Sequence, residues 1–145
     1  MGIYLNPDNN QYERLCNSPI FVDKSLLIEY TNKAINTSND CICVTRPRRF
    51  GKSTDANMLV AYYSKGTDSK ELFETLNIGS SSTFKEHLNK HNVIHLNIQD
   101  FLSTTNSIDE MLVKINRMIL KDLKFEFKDV ISESKIIDAF NEVYA

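Results

Sequence analysis

The stretch Cys41-Ile42-Cys43-Val44-Thr45-Arg46-Pro47-Arg48-Arg49-Phe50-Gly51-Lys52-Ser53-Thr54 decides how this chain is read. Its first five residues form a short apolar run, preceded by the polar residues 36–40 and followed by a basic loop. Such a run, bounded by turn signals, predicts a strand buried on both faces, the kind found in parallel sheets. Beyond Gly51, the residues Ala56, Leu59, Val60 and Tyr63 recur at helical spacing. They predict a helix over about 52–64 with that stripe buried, and Gly66 stands where a C-terminal cap belongs. A strand, a loop ending in Gly51-Lys52-Ser53, and a helix is the setting of a phosphate-binding P-loop.

The residue types at the join suit that chemistry. A helix opens with unpaired N–H groups and a partial positive charge, so a phosphate can rest on its first turn. Gly51 lets the backbone approach the phosphate with no Cβ in the way. Lys52 can reach the β- and γ-phosphates as a point charge, and the Ser53 hydroxyl can ligate Mg²⁺. Thr54 is placed to donate near the α-phosphate. The motif departs from its usual form five positions before Gly51, where Arg46 replaces a glycine, and Pro47 removes one N–H. Arg46, Arg48 and Arg49 could brace phosphates, hold the N-terminal arm or pair with acids elsewhere. The nucleotide-binding set read here is Arg48, Arg49, Phe50, Gly51, Lys52, Ser53 and Thr54, with Ser53 also the metal residue.

Working outward, residues 1–20 read as an irregular arm with the turn-forming run Asn6-Pro7-Asp8-Asn9-Asn10. Asp23 is placed to cap a helix carrying Leu26, Leu27, Tyr30, Ala34 and Ile35. A short helix is expected around 70–76, with Asp68 and Glu71 in a capping-box variant, and another from Thr83 and Glu86 to near His91. Residues 93–98 are a second strand candidate. Ser107 and Glu110 open the best helix of the chain, on which Ile108, Met111, Leu112, Ile115, Ile119 and Leu123 repeat at three and four. A last helix is expected over roughly 132–144. This order predicts the α/β class, as an incomplete three-layer αβα P-loop domain, helix-rich with few parallel strands.

Composition narrows the function classes. In 145 residues, Lys+Arg total 17 and Asp+Glu 19, a formal net charge of −2. Arg46, Arg48, Arg49 and Lys52 bring four of those cations into one loop, which suits a compact anion better than a long polyanion. No apolar run approaches the ~20 residues of a membrane helix, and the start lacks the basic and apolar regions of a secretory signal. The three cysteines, Cys16, Cys41 and Cys43, contain no C-x-x-C pair, so they read as buried structural thiols in a reducing, cytoplasmic setting. His87, His91 and His95 stand four apart but lack the intervening glutamate of a helical zinc motif.

The block Arg46-Pro47-Arg48-Arg49-Phe50-Gly51-Lys52-Ser53 resembles the variant Walker A motif of the bacterial AAA-ATPase-like family. Asn57-Met58-Leu59, Ala61-Tyr62-Tyr63-Ser64, Gly2-Ile3-Tyr4-Leu5-Asn6-Pro7 and Phe21-Val22-Asp23-Lys24-Ser25 are similar to further blocks of that family, in order, through about Phe101. The resemblance accounts for Arg46, since the family carries arginine there. It implies a P-loop fold that binds ATP with Mg²⁺, with residues 23–25 near the base or ribose, and it associates such domains with a following PD-(D/E)XK nuclease-like domain. Nucleic acid enters the expected partners only through that association. Self-association through exposed sheet edges is a further expectation.

Hydrolysis asks for more. A Walker B strand should end in Asp and usually Glu, to hold Mg²⁺ and orient water. The nearest candidate is Asp100, but Asn97 and Gln99 interrupt the run and Phe101 takes the glutamate position. The expectation is therefore the N-terminal part of an ATP-binding module over residues 1–145, with strand, P-loop and helix at 41–64 and no assigned catalytic residue. Against it stand a non-catalytic interaction fragment that has kept the loop and, less favoured, a small P-loop kinase.

Overall fold

Helix-forming segments supply their own backbone hydrogen bonds, and here they carry the architecture. The computed structural model describes residues 2–128 and 135–144. Its helices are α1 (Asn10–Cys16), α2 (Leu26–Ala34), α3 (Lys52–Tyr63), α4 (Lys70–Glu74), a 3₁₀ turn (Asn77–Ser80), α5 (Phe84–His87), α6 (Ile98–Leu102), α7 (Ile108–Glu126) and α8 (Ile136–Tyr144). The expected three-layer αβα arrangement is overturned. The protein is helix-rich, 54%, with no strand or sheet among the described residues. Only two isolated bridges occur there, Leu5 with Ile94 (antiparallel) and Ser64 with His91 (parallel).

The reason is physical. A strand takes its hydrogen bonds from a neighbour, and no described segment lies beside residues 41–45 to provide a ladder. Ile42 and Val44 are consequently exposed, and so are Cys41 and Cys43, which the sequence placed in a core. Residues 93–97 are irregular apart from the Ile94 bridge, and the chain then turns helical because the Asn97 side chain caps α6 by accepting from Gln99 N at 3.2 Å. No described helix is long and apolar enough to cross a membrane.

The chain divides into two compact units, Asp8–Asn92 and Met1–Pro7 with Val93–Ala145. In the first, α3 is the spine. Met58, Val60, Ala61 and Tyr62 are buried, so the helix is covered on several sides and not along the single predicted stripe. Tyr12 of α1 stacks on Phe73 at 5.0 Å between ring centroids, and Tyr62 meets Phe73 edge-on at 5.4 Å. Several polar groups inside this core are paired, although the Tyr12 hydroxyl and Ser64 Oγ are buried with no hydrogen-bond partner. Tyr62 donates to Phe84 O at 2.7 Å, and Asn32 of α2 both donates to Tyr62 Oη (3.2 Å) and accepts from Tyr63 Oη (2.6 Å).

The C-terminal carbonyls of α3 are satisfied by a residue far along the chain. Asn89 Nδ2 donates to Ala61 O at 3.1 Å and Ser64 O at 2.9 Å, while its Oδ1 accepts from Ser69 N at 3.0 Å. Asn89 also holds φ +54°, a backbone region asparagine tolerates better than alanine. Asn89→Ala is therefore expected to cost about 2–3 kcal/mol by thermal or chemical denaturation. Asn89→Gly, which keeps the backbone freedom but loses the caps, should cost less.

In the second unit, Leu5, Ile119, Leu120, Leu123 and Ala139 form the core, with Ile94, Leu96 and Phe140 against it. Of the expected capping box on α7 the Ser107 half is present, while Glu110 reaches one residue beyond the N-cap amide. Ser107 Oγ accepts from Glu110 N at 3.2 Å, and Glu110 Oε2 accepts from Asn106 N at 2.9 Å. For the last helix, residues 136–144 are helical and Ser132, Glu133 and Ser134 lie outside the described residues.

Candidate functional site

Gly51 opens α3 with φ +84°, a conformation glycine adopts without strain. Two residues earlier Arg49 holds φ +70°. The other non-glycine residues with positive φ among those described are Asn6, Asn36 and Asn89, of a type that tolerates it. Arg49 thus carries strain of about 1–3 kcal/mol, and the strain is located in the loop.

Two lysines hold the loop's carbonyls. Lys52 Nζ donates to Arg46 O at 2.6 Å and Pro47 O at 3.1 Å. Lys24, from the turn before α2, donates to Phe50 O at 3.1 Å and pairs with Asp55 Oδ1 at 3.3 Å. Asp55 N donates to Gly51 O at 2.8 Å, the first helical bond of α3. The backbone under Lys24 is itself fixed. Asp23 Oδ1 accepts from Ser25 N and Oδ2 from Asn77 N, both at 2.8 Å. Burial pushes the Asp23 carboxyl up, but the Ser25 hydroxyl, followed by the Asn77 and Ser25 amides, outweighs it and holds it below the usual carboxylate range.

Beside the loop lies a cavity of about 390 Å³. Tyr12, Leu15, Ile20, Val22 and Met58 make its apolar walls, and Lys24, Arg49, Phe50, Gly51, Thr54 and Asp55 line the rest. This volume and mixture suit a small polar ligand with an apolar portion.

Of the residues read from sequence, Arg49, Phe50, Gly51 and Thr54 come together on the cavity, whereas Arg48, Lys52 and Ser53 are exposed and outside its lining. Asp100 stands in the first turn of α6, exposed, and not at the end of a strand. His87 Nδ1 and His91 Nε2 meet at 3.0 Å, while His95 belongs to the other unit and donates its N–H to Tyr4 O. Burial and the neighbouring His87, Lys65 and Lys90 hold the His91 imidazole below its ordinary value. Among the described residues no group of three or more His, Cys, Asp or Glu could hold a metal ion.

Sequence reading missed α1 and Asp55. Tyr12, Leu15 and Cys16 follow Asn9 at spacings of three and one, a helical signal that the turn-rich residues 6–10 obscured. Nothing local could reveal that α1 packs beside the loop, since that contact spans some forty residues of chain.

The fold and site together define a helical protein with a basic loop at the head of a central helix, opening beside a cavity. Residues 10–145 match the AAA-ATPase-like family, described as Predicted AAA-ATPase, and the chain belongs to that family. No curated protein and no solved structure matches it.

Proposed function

We propose that this chain is an ATP-binding module that holds ATP with Mg²⁺ at the loop of residues 48–54. The observation that carries the reading is Gly51 at φ +84° at the head of α3, followed at once by Lys52, Ser53 and Thr54 and bordered by the cavity. Family membership supports it. Gly51 and Thr54 belong to both the loop and the cavity wall, so phosphates on the first turn would leave the nucleoside in reach of Tyr12, Val22 and Met58. Lys52 takes the β- and γ-phosphates, and Ser53 takes Mg²⁺ through its hydroxyl. Arg48 and Arg49 brace the polyphosphate, with Phe50 at the cavity rim. The setting proposed is the cytoplasm of a bacterial cell. Calorimetric titration of the chain with ATP–Mg, against Lys52→Ala, tests the assignment.

Turnover is a separate matter. Asp100 in a helix is poorly placed to do the work of a Walker B carboxylate, so steady phosphate release from this chain is expected to be negligible. Sustained release that disappears in Lys52→Ala would show that a residue of this chain completes the hydrolytic site.

A second reading has its own observation. The Lys52 ammonium is already satisfied by Arg46 O and Pro47 O, which is how a loop kept only as a structural clasp would look. An interaction module that does not take nucleotide would show no heat with ATP–Mg while melting cooperatively.

A further inference from the structure

We propose that Lys24 is a second phosphate-binding lysine of the loop, held by Asp55 until a polyanion displaces that carboxylate. The proposal rests on the nucleotide reading above and deepens it.

Three observations converge on Lys24. The first is its footing. Ser25 is fully buried and its Oγ accepts from Ile78 N at 3.0 Å, and Asp23 is bonded on both oxygens, so the backbone at residue 24 is fixed. From that fixed point a flexible stem carries a compact charge to the loop. The second is where the charge lands. A Cβ built on Gly51 would lie 2.7 Å from Lys24 Nζ, so the ammonium stands directly over the glycine that opens α3. Gly51 is required for its φ, and a side chain there would push the flexible Lys24 ammonium aside. The third is the surroundings. Lys24 and Asp55 line the same cavity as Thr54, and the lysine side chain is 41% exposed while that of Asp55 is 15% exposed. The cation keeps an open side and its partner does not. The cavity wall also includes Tyr12, itself buried, whose hydroxyl finds no hydrogen-bond partner by geometry.

The consequence is an exchange of partners. A phosphate on the first turn of α3 arrives beside both members of the pair, drawn to Lys24 and repelled by Asp55. A polyphosphate carries more charge than one carboxylate and wins the ammonium. Asp55 then acts against binding, as the group from which the lysine must be taken.

That gives an unusual pattern of variants. With the full chain titrated by ATP–Mg in a calorimeter, Lys24→Ala and Lys24→Gln should each weaken binding by roughly tenfold, the effect of one charged hydrogen bond. Asp55→Asn should tighten binding by roughly threefold or more, and that gain should shrink in the Lys24→Ala background. Each variant is measured well below its own melting temperature, so that affinity and folding are read separately. If Asp55→Asn weakens binding as Lys24→Ala does, the pair is a brace and the proposal is overturned. If the wild type binds and Lys52→Ala abolishes binding but Lys24→Ala leaves it unchanged, the role of Lys24 alone fails. If the wild type takes up no ATP–Mg, the nucleotide reading itself fails.

Discussion

Lys52→Ala is expected to weaken ATP–Mg binding by roughly 30- to 150-fold, which corresponds to about 2–3 kcal/mol. The size follows from what the ammonium gives up and what it gains. It now donates to two peptide carbonyls, Arg46 O and Pro47 O, which are neutral acceptors. A phosphate oxygen is an ionised acceptor, and a charge-assisted bond of that kind is roughly twice as strong. The exchange is therefore favourable, and its loss appears almost wholly in affinity. The effect on stability should be small, because Lys52 is exposed and its two bonds compete with water. Calorimetric titration checks the affinity and a melting curve checks the fold. An unchanged affinity in a folded variant would remove the loop from nucleotide binding and leave the clasp reading in its place.

The same residues explain why the loop is legible in sequence while its partners are not. Gly51, Lys52 and Ser53 are contiguous, and the first turn of a helix is dictated locally, so α3 begins where its residues predict. The Ser107 and Glu110 capping on α7 is local in the same way. Residues 41–45 are a different case. Their apolar run has strand character, but a strand exists only through pairing, and no described residues pair with it. The α/β expectation fails there and again at residues 93–98, which are irregular and then turn helical at α6. The cavity lies between these cases. Its Gly51, Thr54 and Asp55 wall belongs to the loop and the first turn of α3, whereas Tyr12 is brought there by packing of α1 against α3 and Lys24 by its bonds to Phe50 O and Asp55.

The blocks that resemble the AAA-ATPase-like family also separate by role. Residues 46–54 and Lys24 stand at the loop and cavity. Residues 2–7 belong to the other unit, where Leu5 is built into the core. Leu5 is buried there, and Asn6 pairs with Val93 through N–H to Val93 O and Oδ1 from Val93 N, both at 2.8 Å. Blocks with the same resemblance therefore differ in setting, one lining a cavity and another packed into a core, and only contacts tell them apart.

Asp122 makes that packing measurable, and Asp122→Ala is expected to destabilise its unit by about 3–4 kcal/mol. The carboxylate lies on α7 with only 9% exposure, and its Oδ2 accepts from Tyr4 N at 2.6 Å and from Leu5 N at 3.2 Å. Alanine leaves both donors without that acceptor, in a place where water replaces it poorly, and each unsatisfied group costs about 1–3 kcal/mol. Gly2 belongs to the same contact, since a Cβ there would come 2.5 Å from Asp122 Oδ2. Asp122→Asn keeps one acceptor oxygen without the charge and should lose roughly half as much. Denaturation gives the total, and amide hydrogen exchange at Tyr4 and Leu5 locates it. Lost protection at those two amides, with Tyr62 and Ala61 in the other unit still protected, is the expected pattern. A variant as stable as the wild type would mean that Leu5 burial alone seats residues 2–7, and that the carboxylate on α7 adds nothing to it.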